Sequence, residues 1–319
     1  MKRQFLFILL SLVIGISGFC GSAYGGLRYI FESTWGDLGS AEGAFDNPNG
    51  VALSMVGTLY VSDMRNHRIQ KFTKNGEYIM SWGSQGTGDG QFDHPGGLTV
   101  ALAGNVYVAD RGNNRIQKFS ASGRFITAWG STGSEPGQFL FPSDVAVDRL
   151  GNVYVADTYN HRIQKFTKNG DFIKSWGSEG TLAGQFNRPF GIAVDSAGKV
   201  CVADTDNHRI QKFTADGAFI ISWGSLGSGD GYFNSPCGIS VDRKDNVYVA
   251  DAGNNRIKKF TSIGEPIRSW GGSGSDNGQF VAPVAVEATF SGKYVYVGEN
   301  GNDRIQKFRR MRLFEDLFK

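Results

Sequence analysis

Five aspartates, Asp63, Asp110, Asp157, Asp204 and Asp251, each stand five residues before an arginine: Arg68, Arg115, Arg162, Arg209 and Arg256. A carboxylate so placed could act as an acid or base, or as one ligand of a metal. Histidines lie just before three of the arginines, at His67, His161 and His208; Asn114, Asn255 and Asp303 take that place elsewhere. Imidazole and carboxylate hold zinc only where several meet within a few ångströms, and equivalent turns on separate repeats stand apart. Copies of a carboxylate spread along a repeat seldom converge on one substrate. An Asp before a tight turn commonly accepts hydrogen bonds from the turn's N–H groups and pairs with a nearby Arg, so the array reads as scaffolding. No catalytic residue, metal or other cofactor is expected.

The glycine-rich stretch GSQGTGDGQF at Gly83–Phe92 invites comparison with a phosphate-cradling loop. It precedes a strand rather than a helix and lacks the Gly-Lys-Ser/Thr ending, so it reads as a turn between repeats. His94, in QFDHPG, has no counterpart in the other repeats and reads as a solvated loop residue able to make a contact.

These residues recur because the chain does. Trp35, Trp82, Trp129, Trp176, Trp223 and Trp270 are 47 residues apart, as are Phe45, Phe92, Phe139, Phe186, Phe233 and Phe280. A strict period of this length marks an architecture in which no unit buries its apolar faces alone. Within one unit, GIAVD (Gly191–Asp195), KVCVAD (Lys199–Asp204), RIQKF (Arg209–Phe213) and AFIISW (Ala218–Trp223) read as four short strands separated by turns. Beside 24 Phe, 11 Tyr and 6 Trp there are 45 glycines and 8 prolines, which suits tight turns between aromatic-rich strands. The fold is therefore expected to be all-β, a six-bladed propeller of four-stranded antiparallel blades. Ala52, Thr99, Ala146, Ala193 and Ser240, in the middle of the first strands, are small enough to crowd near an axis; the tryptophans ending the fourth strands fill the widening gaps outside.

YIFESTWG at Tyr29–Gly36 is a fourth strand with no unit before it, and no seventh tryptophan follows Phe308. The N-terminal strand is expected to complete the last blade and close the ring, which hides an open sheet edge. This gives one domain over 26–308, with repeats near 32–75, 79–122, 126–169, 173–216, 220–263 and 267–308, and a tail over 309–319. The sixth repeat departs from the others: it lacks the Pro-x-Gly, and Glu299 replaces the usual Asp. If VAVE aligns with IAVD, Ala285 is axial and Glu287 is a turn carboxylate; without that gap Glu287 is axial. The first alignment is preferred because it keeps every axial position small.

The pattern P-x-G-I-A-V-D…G-N-V-Y-V-A-D-T-x-N-H-R-I-Q-K-F, fullest at Pro142–Phe166 and Pro189–Phe213, resembles the NHL repeat of TolB-like/NHL-type six-bladed propellers. The resemblance spans nearly all of 26–308. Neither a recurring Trp-Asp pair nor a kelch-type Gly-Gly pair is present. The resemblance implies a range of roles: protein or RNA binding, extracellular sensing, or lyase chemistry with a metal in the channel. Fold alone does not choose among them. Members that are ubiquitin ligases carry a zinc-binding RING, which three cysteines cannot build.

Where copies agree, scaffold is served; where they differ, a ligand can be. The linker into the first strand and the turn between the second and third share one end of a propeller. That face offers Arg65, Arg111, Asp144, Tyr159, Arg188, Phe190 and Asp206 as candidate ligand contacts, with Asn49, His94 and Phe141 among them. Aromatics mixed with Arg and Asp are usual at recognition surfaces. Asp144 stands where Gly50, Gly97, Gly191 and Gly238 recur.

Lys2-Arg3 followed by the apolar run Phe5–Phe19 and small residues at 21–25 reads as an export signal over 1–25, or as an uncleaved anchor. A secreted, periplasmic or extracellular location is expected, with no stable membrane span after cleavage. Cys201 and Cys237 are then the remaining cysteines and read as buried thiols rather than a disulfide framework. Removing Lys2 and Arg3 takes the formal charge from +3 to +1, which offers little field to attract nucleic acid. The expected role is a monomeric, non-catalytic scaffold for a protein or glycan partner, with a channel lyase or hydrolase as the alternative and RNA binding behind both.

Overall fold

The alternating runs form strands, as in the third blade: Pro142–Val147, Val153–Asp157, Arg162–Phe166 and Phe172–Trp176. The computed structural model describes residues 27–312; the expected signal segment, and 313–319 of the expected tail, lie outside the described residues. Six four-stranded antiparallel sheets are formed, five of them from consecutive strands. The sixth pairs Pro283–Ala288, Tyr294–Glu299 and Arg304–Arg312 with the N-terminal strand Leu27–Trp35. Leu27 faces Arg312 and Trp35 faces Ile305, so the ring closes as expected.

The apolar core lies between blades. Tyr154 and Ile163 of the third blade pack with Ile192, Val200, Val202 and Phe213 of the fourth, and Trp176 covers the cluster from outside. The Trp176 ring rests on the backbone of Gly217 in the next blade, a residue at φ +81 where a Cβ would run into the indole. Glycine is required there both for its conformation and for the approach. Trp270 has no such glycine turn in front of it, because the last blade borrows its outer strand. Tyr29 of that strand stacks on Trp270 instead, with ring centroids 4.5 Å apart.

The preferred alignment of the sixth repeat is overturned. Glu287 faces Tyr296 as Ala52 faces Tyr60 and Ala146 faces Tyr154, so Glu287 is axial and Ala285 corresponds to Gly50 and Asp144. Pairing of Pro283 with Glu299 fixes the register as Pro48 with Asp63 does in the first blade. The extra residue is absorbed in the turn at 289–293, where a longer loop costs little.

Candidate functional site

The repeated Asp and Arg are scaffold. Asp157 is fully buried and accepts hydrogen bonds from Leu140 N (2.8 Å), Asn160 Nδ2 (2.9 Å), Arg162 Nε (2.7 Å) and Gln164 Nε2 (3.0 Å). The far end of Arg162 donates to the carbonyls of Ser134, Glu135 and Gln138, which shapes the glycine-rich linker. Burial raises the Asp157 pKa from its usual value, against the lowering pull of these donors. The histidines have a separate task. His67, His161 and His208 sit at positive φ, and each Nδ1 accepts the backbone N–H of the residue leading the next blade: His94 (3.2 Å), Arg188 (3.2 Å) and Ser235 (3.0 Å). Asn114, Asn255 and Asp303 do the same through Oδ1, to Phe141 (2.7 Å), Ala282 (2.9 Å) and Asn47 (2.8 Å).

These latches put the turn after each second strand beside the next incoming linker, which fixes one face around the channel mouth. Arg111, in the second blade's turn, leans across it: its guanidinium carbon is 6.0 Å from the centre of the Phe190 ring of the fourth blade. Its Nε is buried without a hydrogen-bond partner. Burial pulls the Arg111 pKa below its usual value, while Tyr159 and Cys237 push it up. Phe141 and Tyr159, both more than 40% exposed, meet edge to face with centroids 5.5 Å apart. Arg188 pairs with Asp206 and also bonds Tyr159. A cup with one half-buried cation, three aromatic rings and an ion pair at its rim thus joins the second, third and fourth blades.

Below the cup lies a channel of about 180 Å³, lined by Phe190, Asp144, Asn49, Thr99, Ser240 and Glu287 among others. Asp144 accepts Val145 N (2.8 Å) and Ile192 N (3.0 Å), so it ties the third blade to the fourth rather than forming a turn. Glu287 accepts Ser240 Oγ (2.9 Å). Burial pushes both carboxyls up to about 7, and Asp144 adds to the rise of Glu287. The Asn49 Oδ1 is buried and has no partner.

All seven expected contact residues lie on this face or in the channel. Arg65 holds the turn position of Tyr159 and Asp206, is exposed, and pairs with Asp46 on its own linker at 3.5 Å. Glu287 was missed as a channel group because of the alignment. Cys201 is buried and Cys237 half-buried, and burial raises both thiols to about 12. Sequence reasoning also missed that a turn meets the next blade's linker: His67, Asp93 and His94 place their donor atoms within 4.8 Å of one another. Two imidazoles and a carboxylate make this the one such group among the described residues that could hold a metal ion.

The NHL repeat family matches residues 45–72, 92–119, 139–166, 186–213 and 233–260. The B-box type zinc finger protein ncl-1 of Caenorhabditis elegans is 41% identical over 51 residues, 16% of this chain and 6% of that protein. Protein brain tumor of Drosophila melanogaster is 39% identical over 51 residues, 16% of this chain and 5% of its own length. The chain thus spans a small part of these relatives. Among solved structures, a Bacteroides thetaiotaomicron protein of unknown function superposes with TM-score 0.65 at 19% identity, covering 89% of this chain and 76% of the other. A streptogramin B lyase does so at 0.59 and 15%, covering 89% and 97%. Identities this low speak for the fold alone. Five matched repeats within a ring of six four-stranded blades make the chain an NHL-repeat β-propeller.

Proposed function

We propose that this NHL propeller is a non-catalytic binding protein that works outside the cytoplasm and captures a protein ligand on its linker face, at the channel mouth. The observation that carries the reading is Arg111: a half-buried guanidinium whose buried Nε has no partner, held over an aromatic ring and beside exposed Phe141 and Tyr159. Leaving such a donor unpaired is costly, and an incoming carboxylate beside an apolar side chain would satisfy both the charge and the rings. The test compares partner capture from envelope extracts by the wild type, Arg111→Gln, Tyr159→Ala and Arg65→Ala. Capture should fall for the first two variants and persist for the third. Undiminished capture by Arg111→Gln would show that the ligand sits elsewhere, and captured polysaccharide would point to a glycan ligand on the same rings.

A second reading, a lyase or hydrolase acting in the channel, is favoured by Asp144 and Glu287, whose pKa values near neutrality suit proton transfer. It requires turnover that disappears in Glu287→Gln.

A further inference from the structure

The second strands carry one large residue at the same register: Tyr60, Tyr107, Tyr154, Tyr248 and Tyr296, each facing the axial position of its first strand. In the fourth blade that residue is Cys201, facing Ala193. The tyrosine ring normally spans the seam to the next blade. Tyr60, Tyr107 and Tyr296 donate to the carbonyls of Ala121, Lys168 and Lys74 in the following blade's last turn, at 3.4, 3.3 and 2.9 Å. Tyr154 and Tyr248 donate instead to Asp148 and Asp242, both at 3.0 Å. In each of these blades a lysine ammonium lies over the ring, between 4.7 and 6.0 Å from its centre.

The fourth blade keeps every partner and lacks the phenol. Asp195 stands where Asp148 and Asp242 do, Lys212 where Lys165 and Lys259 do, and Ser262 where Ala121 and Lys168 do. Lys212 Nζ donates to the Ser262 carbonyl (3.1 Å) and pairs with Asp195 at 2.8 Å, against 3.5 Å between Lys259 and Asp242 where Tyr248 is present. Between these partners the seam opens into a cavity of about 220 Å³ lined by Asp195, Lys212, Ser262, Ile220, Ile221 and Ile263, with Lys199 and Asp245 also on its wall. An engineered apolar cavity of about 150 Å³ is enough to bind benzene.

We propose that the seam between the fourth and fifth blades is a binding site for a small monocyclic phenol, whose ring takes the place of the absent tyrosine side chain. The isoleucines supply the apolar wall, Lys212 a cation for the ring face, and Asp195 or the Ser262 carbonyl an acceptor for the hydroxyl. The site is separate from the channel mouth and is not affected by how the linker face is used.

The probe is p-cresol, the tyrosine side chain cut at Cβ, added to the full chain and followed by thermal unfolding and ligand-observed NMR, with toluene as the matched ring without a hydroxyl. For wild type, Tm should rise by on the order of 3 °C at ten times the dissociation constant, and toluene should give a smaller shift. Cys201→Tyr, which restores the residue of the other five blades, should abolish the p-cresol shift. Cys201→Phe, filling the same space without the hydroxyl, serves if the first variant folds poorly. No shift in wild type, an equal shift in the filled variants, or toluene as effective as p-cresol would each overturn the proposal.

Discussion

The hydroxyl oxygens of Tyr29 and Tyr248 lie 2.9 Å apart although 219 residues separate them; the Tyr248 proton goes to Asp242, so the single Tyr29 proton is shared between the Tyr248 oxygen and the Gly292 carbonyl at 3.1 Å. The closing strand is thus bonded both to its own blade and to the fifth. Replacing Tyr29 by Phe should cost about 1 kcal/mol for the lost hydrogen bonds, and by Ala about 3–5 kcal/mol with the emptied space beside Trp270. Denaturant midpoints measure both. Removing 27–36 should expose Trp270 and split the single unfolding transition; a deletion variant that melts like the wild type would contradict closure by this strand.

The blade-to-blade latches predict which substitutions are interchangeable. His208 Nδ1 and Asn114 Oδ1 accept equivalent backbone N–H groups from equivalent left-handed positions. His208→Asn should be neutral within about 0.5 kcal/mol, because Asn reaches the same donor and tolerates positive φ. His208→Ala should lose on the order of 1–3 kcal/mol, since it leaves the Ser235 N–H unpaired and strains the backbone. Equal stability of the two variants would show that an acceptor for the Ser235 N–H makes no difference at this position.

Asp157 gathers four donors in a fully buried position. Asp157→Ala strands Arg162 and Gln164 without their acceptor, so a loss of about 3–5 kcal/mol is expected from equilibrium unfolding. The 131–138 linker should also become sensitive to protease, because Arg162 no longer orders it. A resistant linker would mean that the backbone alone sets its shape.

Glu287 gives the channel a pH dependence. Its pKa is about 7, against an ordinary 4.5. Between those values the folded chain holds a proton that the unfolded chain has released. Stability is therefore greatest below the window, falls as pH climbs through it, and levels off above about 7. Glu287→Gln removes the ionisation and should raise Tm at pH 8 by on the order of 3 °C while changing it little at pH 5. Scanning calorimetry at the two pH values decides it; the same difference at both would assign the effect to packing.

The sequence showed most plainly what repeats. Tryptophans spaced at 47 residues, small axial residues and an unmatched first strand led to a closed six-bladed ring, because each demand is local to one strand and is made again in every copy. The Asp and Arg of each turn were legible as scaffold for the same reason. The variable residues could be placed on one face by topology alone, which brought Arg111, Tyr159, Arg188, Phe190 and Asp206 to the channel mouth.

What the sequence alone could not decide lies between blades. The latch from His67 to His94 joins residues 27 positions apart, and the reach of Arg111 to Phe190 skips a blade; neither follows from a pattern inside one repeat. Arg65 holds the turn position of Tyr159, and that it pairs with Asp46 on its own linker does not follow from its position either. Glu287 was misassigned because small axial residues seemed obligatory, whereas the channel has room for a carboxylate held by Ser240. Repetition fixes each blade through its own strand pairing and turns. The contents of the seams and channel depend on which side chains from different blades meet, and only the tertiary structure brings those together.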